Sequence, residues 1–283
     1  MPLISVIEGL SIGGSAERVN DDTFGALSSV AFVLDGVTSL SETPLMPGRS
    51  DAAWAAQTAR ELFLAHGAAR GGDLRGLVTT VAVGITVRFE AERVRAPRER
   101  YELPWTTMSL IGVEAGQLNV AYVGDSRALV ETGDGHVHSF GVNPSRTAFE
   151  TKLAQKMIAA QKGKPLGPAA VLPELRAARN TVNTGTGYWL LGADAAVGAH
   201  ATVTSLALSG PATVLLATDG FYALVEDYQR YGDRELIAAA RTVGLGSLAR
   251  ELRQIEDDDP NGQRFPRMKK SDDATALLVR VEP

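Results

Sequence analysis

Acidic side chains recur at the ends of apolar runs in this sequence. Ser29–Leu34 leads into Asp35-Gly36, Leu118–Gly124 into Asp125-Ser126, and Thr213–Thr218 into Asp219-Gly220. Asp272-Asp273 immediately precedes the apolar Ala274–Val281, and Asn20-Asp21-Asp22 precedes Thr23-Phe24. The end of a buried strand is a rigid mount for a side chain. Carboxylates gathered on such mounts repel one another, and protonation or a bound cation relieves the repulsion. Oxygen-only ligands suit Mg²⁺ or Mn²⁺, and a glycine after the acid lets a backbone carbonyl approach an ion. One Asp-Gly pair after a strand is ordinarily a hairpin turn. Several acids in one chain, all at the ends of runs, point instead to a shared metal site.

The intervening pattern predicts the elements that would carry these acids. Ser29–Leu34 reads as the first clear strand. Residues 51–66 have apolar groups at helical spacing, with Asp51 at the N-cap. A second helix starts near Leu74, its far end left open by the β-branched Val81–Val87, and the charged Arg88–Pro104 reads as a loop. Thr107–Glu114, Leu118–Val123 and Ala128–Glu131 form a strand meander that Gly133-Asp134-Gly135 closes. Residues 146–180 read as helix–loop–helix with a break at Gly163–Gly167. Strands follow at Tyr188–Leu191, Ala201–Leu208 and Thr213–Ala217, then helices near 233–243 and 246–256, an acidic loop Asp257–Ser271, and a last strand, Ala274–Val281. Hairpin-like strands separated by blocks of helices give the α+β class. No linker divides the chain, so residues 1–283 read as one domain.

Composition removes many other chemistries. With 45% hydrophobic and 22% charged residues, the 283-residue chain is globular rather than disordered. A net charge of −5 speaks against non-specific nucleic-acid binding. The absence of cysteine excludes disulfides, thiol catalysis, zinc–thiolate sites and iron–sulfur clusters. Met1–Glu8 lacks the pattern of a secretory signal. No apolar run reaches the ~20 residues that span a bilayer. The expectation is a cytoplasmic monomer with neither nucleic acid nor membrane as partner. Gly244–Ala249 imitates a dinucleotide fingerprint, but no strand precedes it, so it reads as a helix–helix turn. His136 and His138 read as an exposed hairpin end, His66 as a helix C-terminus, His200 as a residue with no visible partner, and Trp54, Trp105 and Trp189 as packing. Lys152, Lys156, Lys162 and Lys164 form a modest basic patch, read as a solvated helix face. Lys269-Lys270, beside Asp272, either steers a phosphorylated substrate or offsets neighbouring acids.

Five segments, in order, resemble the metal-dependent protein phosphatases of the type-2C family. They are Arg18-Val19-Asn20-Asp21-Asp22, Asp35-Gly36-Val37-Thr38-Ser39, Thr106-Thr107 through Gly124-Asp125-Ser126-Arg127, Thr218-Asp219-Gly220, and Asp272-Asp273-Ala274-Thr275. The resemblance spans about residues 15–281 and implies an αββα four-layer sandwich, two antiparallel sheets flanked by helices. It implies two Mg²⁺ or Mn²⁺ ions, with Asp35 bridging them, the Gly36 carbonyl on one, and Asp219 and Asp272 holding the other. Asp22 would act through water, with Asp21 a weaker candidate; Asp125 would meet a third, looser ion; Arg18 would bind phosphate. Asp35, Asp219 and Asp272 would thereby serve catalysis, in which a metal-activated water hydrolyses phosphoserine or phosphothreonine. The implied partner is a phosphorylated protein, opposite a Ser/Thr kinase. Three departures stand out. Thr38-Ser39 replaces Gly-Gly, Val37 stands where eukaryotic members carry a proton-donating histidine, and Ala223 stands where many members place another acid. They leave open an alternative, a pseudophosphatase that binds phosphoproteins without turnover. A small-molecule phosphatase on the same scaffold is a third possibility.

Overall fold

The computed structural model describes residues 3–141, 152–156, 171–185 and 187–283. Among them, strands form two antiparallel sheets. The first sheet has the order β1 (Ile4–Ile12), β11 (Ala274–Val281), β10 (Ala212–Ala217), β6 (Arg127–Glu131), β7 (Val137–Phe140). The second runs β2 (Thr23–Ala26), β3 (Val30–Gly36), β4 (Trp105–Glu114), β5 (Gln117–Val123), β9 (Thr202–Ala207), with the two-residue β8 (Leu191–Gly192) against the start of β4.

Side chains alternate across a strand, and here both faces are covered. Ala31 and Val33 of β3 join Ile111, Val120, Val130, Val214, Leu216, Leu277 and Val279 in the layer between the sheets. Val30, Phe32 and Leu34 of the same strand face outward onto helices α1 (Asp51–His66) and α2 (Leu74–Glu92), where Phe63, Leu77, Val81 and Ile85 are buried. The other sheet is covered in the same way. Leu215, Ala217 and Leu278 pack on Leu236, Ile237, Leu248 and Leu252 of two further helices, Asp233–Val243 and Leu245–Asp258. This is the four-layer αββα sandwich that the sequence resemblance implies. With α3 (Leu172–Asn180) between, those last two helices are α4 and α5. No helix among the described residues is long and apolar enough to cross a membrane.

Several sequence expectations need correction. Strands β1, β2 and β7 were not anticipated. Ser50, not Asp51, caps α1: its hydroxyl accepts from Ala53 N, while the Asp51 carboxylate accepts from Leu45 N and Met46 N and ties down the preceding loop. Helix α2 continues to Glu92, through Arg88–Glu92 that read as loop, because Ile85 and Phe89 still fall on its buried side. Of the Tyr188–Leu191 segment only Leu191 pairs as strand, together with Gly192 beyond it. Strands β5 and β6 are not neighbours in a meander; they lie in different sheets, and Gly124-Asp125-Ser126 crosses between them. His200 does have a partner, the ring of Trp189 stacked at 3.6 Å between centroids. The break at Gly163–Gly167, with Lys162 and Lys164, lies outside the described residues.

Candidate metal centre

The sandwich brings one end of each relevant strand together. Asp35, the penultimate residue of β3, is paired with Thr107 of β4, and Thr23, directly after Asp22, is paired with Leu34. Across the sandwich, Ala217 at the end of β10 pairs with both Ala276 of β11 and Arg127 of β6. Asp219 and Asp272-Asp273 therefore emerge beside each other, and Asp125 sits on the link just ahead of β6. Gly124 holds φ +81°, and a Cβ there would come within 2.6 Å of Thr107 Cβ. Glycine is what lets the chain change sheets this tightly.

Hydroxyls at the same strand ends brace the acids. Thr218 Oγ1 donates to Asp22 Oδ2 at 2.8 Å and accepts from Thr275 N at 2.9 Å, tying the two sheets together. Thr106 Oγ1 donates to the Asp35 carbonyl at 2.8 Å, and Thr107 Oγ1 and Ser126 Oγ are 2.6 Å apart. Asp273 does a different job from its neighbour: its carboxylate accepts from Gly14 N and Asp21 N, pinning the N-terminal segment to β11. The sequence motifs contain these threonines and Asp273 but assign them no bracing role. Their signal was position alone, hydroxyls and an acid flanking the carboxylates already noted.

One carboxylate oxygen from each of Asp35, Asp125 and Asp219 lies within 4.8 Å of the others. Removal from water pushes the Asp35 carboxyl well above its ordinary value, and the charges of Asp219, Asp22, Asp272 and Asp125 push further the same way. Asp22 is pushed up to about 8, chiefly by burial; the Thr218 hydrogen bond opposes this, and Asp272 and Asp273 add to it. Such a set is electrostatically deficient in positive charge and fits a divalent cation with oxygen ligands. Gly36 closes in beside it: a Cβ there would meet Asp21 O at 2.5 Å and Ala52 O at 2.8 Å, so no side chain can grow at that position.

Asp272 stands apart from this trio in its contacts. Its Oδ1 accepts from Asp273 N at 2.8 Å and pairs with Lys269 Nζ at 2.5 Å. Burial pulls the Lys269 ammonium down, but Asp272, Asp219 and Asp35 outweigh it and hold the ammonium above the ordinary lysine value. Asp21 accepts from Ser50 Oγ at 2.5 Å, and its carboxyl is raised, first by burial. Arg18 is exposed and lines a cleft of about 300 Å³ with Asp21, Thr38, Ser39, Arg49 and Ser50.

A profile of the family described as protein phosphatase 2C matches residues 15–255. The chain belongs to the protein phosphatase 2C family. Comparison with curated proteins by sequence returns no match. Solved structures do match. A Mycobacterium tuberculosis serine/threonine phosphatase, PstP/Ppp, shares 16% identity at a TM-score of 0.59, with 99% of each chain covered. The catalytic domain of PstP in complex with two manganese ions shares 19% at a TM-score of 0.56, again over 99% of each chain. The S. agalactiae serine/threonine phosphatase shares 16% at 0.55, over 99% of this chain and 100% of that one. For a protein phosphatase 2C fold the three departures fall as follows. Val37 packs with Trp105, Val182 and Leu190; Thr38 Oγ1 accepts from Lys269 Nζ at 3.4 Å; Ala223 is buried under β10 and β11 among α4 and α5 side chains.

Proposed function

We propose that this protein is a Mg²⁺- or Mn²⁺-dependent serine/threonine protein phosphatase. The observation that supports the reading is the convergence of Asp35, Asp125 and Asp219, from both sheets, in a chain of the phosphatase 2C family. In the proposed assignment Asp35, the Gly36 carbonyl, Asp219 and Asp272 hold two ions, Asp22 acts through water, and Asp125 serves a third ion. Bound divalent ions would lower the pKa of water and orient it for in-line attack on phosphorus. The chain supplies the rest. Thr218 fixes the Asp22 carboxylate, Thr106 holds the Asp35 backbone, and Asp273 anchors the segment that carries Arg18. Arg18 and Arg49 line the adjoining cleft and would receive the phosphate of a phosphorylated residue. The cellular counterpart would be a Ser/Thr kinase, and the setting the cytoplasm.

Asp35→Asn should abolish hydrolysis of a generic aryl phosphate, by at least ~1,000-fold, while leaving the protein soluble. Wild-type turnover that survives EDTA unchanged would overturn the metal-dependent reading. A panel of phosphopeptides against small phosphorylated metabolites separates a protein substrate from a metabolite.

A further inference from the structure

Among the described residues, Lys269 brings a positive charge directly against the carboxylate cluster. Lys269 lies in the loop before β11, and its ammonium pairs with Asp272 Oδ1 at 2.5 Å and donates to Thr38 Oγ1 at 3.4 Å. Thr38 is three residues past Asp35, so the lysine spans the gap between the β3 end and the β11 start. Its neighbour Lys270 points elsewhere, to Asp257 at 2.5 Å on the surface, where both side chains are more than half exposed. The two adjacent lysines thus have different surroundings: one faces the acids of the site, the other a single solvated acid.

We propose that Lys269 is a built-in counter-ion that holds the Asp272 side of the cluster until a divalent cation displaces it. This rests on reading the cluster as a metal centre. A monovalent ammonium carries half the charge of Mg²⁺ or Mn²⁺ and donates hydrogen bonds instead of coordinating oxygens directly. It therefore balances Asp272 while leaving the Gly36 carbonyl side of Asp35 to the first ion. A cation arriving at Asp272 must break the Lys269 pair and tolerate the displaced charge nearby, which weakens binding at that position only. The hydroxyl of Thr38 gives the ammonium a second anchor on the loop after Asp35, a contact that the Gly-Gly of the family pattern could not make through a side chain. The two ions would accordingly bind with unequal affinity, and Lys269 would set the gap.

Calorimetric titration of purified, EDTA-stripped protein with MnCl₂ tests this without using turnover. In the wild type we expect one tighter and one weaker Mn²⁺. Lys269→Met should tighten the weaker ion by roughly 10-fold, about 1.4 kcal/mol, and lower the melting temperature of the metal-free protein, with little effect on the tighter ion. Lys270→Met should leave the isotherm unchanged. Identical isotherms for wild type and Lys269→Met would overturn the counter-ion role and leave the metal centre standing. An equal tightening in Lys270→Met would overturn it too, by showing a diffuse charge effect. Absence of Mn²⁺ binding in all three proteins would overturn both this role and the metal-centre reading.

Discussion

Two acids in this molecule, Asp259 and Asp35, are treated in opposite ways. Asp259, at the end of α5, accepts from the backbone N–H groups of Gln263, Arg264 and Phe265 and pairs with Arg267 at 2.9 Å. Burial pushes its carboxyl up, but these donors outweigh burial and hold it below the usual carboxylate range. Asp35 is desolvated among four other acids, and its carboxyl is driven upward. The first acid is satisfied by the chain and closes a loop; the second is left wanting a cation. Where a carboxylate serves structure, this fold supplies the donors. Where it serves the site, the fold supplies more carboxylates.

The contrast can be broken from either side. The largest effect on stability should come from Arg267→Ala. It strands a nearly buried Asp259 charge and removes the donors to Asp259 O and Glu256 O. The expected loss is about 3 kcal/mol, or roughly 6 °C in melting temperature, independent of added Mn²⁺. A melting point that recovered on adding Mn²⁺ would mean that the two regions are not separate.

A smaller effect should follow pH. Asp22, raised from an ordinary 3.8 to about 8, is protonated in the folded state where it would be ionised in the unfolded chain, and burial and neighbouring acids push Asp35 in the same direction. The Asp22 contribution is fully present below about pH 4 and is lost as pH climbs through 8; that of Asp35 has the same sign. The metal-free protein should therefore melt several degrees lower at pH 9 than at pH 5, and saturating Mn²⁺ should flatten the curve. A metal-free melting point that rose over that range would contradict the assignment of strain to these acids. Smallest is Ser50→Ala, which removes both the α1 cap and the hydroxyl that donates to Asp21. It should cost about 1 kcal/mol, read by urea denaturation.

The elements legible in the sequence were those with both faces buried. β3, β10 and β11 are continuous apolar runs because helices cover one face and the opposite sheet the other. β1 was illegible for the opposite reason. It is an edge strand with Val6 and Ile7 exposed, and a bulge between Val6 and Glu8 interrupts its alternation. The four-residue β2 and β7 are too short to show a period. At the site, acid type and position at strand ends were visible, since those are local properties. The sheet change at Gly124 was not, because a tight positive-φ glycine serves a hairpin and a crossing alike. Only the family resemblance separated Asp272 from Asp273; the strand pattern alone does not tell that one faces Lys269 and the other holds backbone amides.

The position of β11 has a consequence for biosynthesis. It is inserted between β1 and β10, joining strands far apart in the sequence, and the acids at its start join a cluster that includes Asp22. A ribosome that has not yet released this segment carries β1 and β10 without the strand that unites them. Until β11 has emerged, the nascent polypeptide therefore lacks Asp272 and Asp273 from this set of acids.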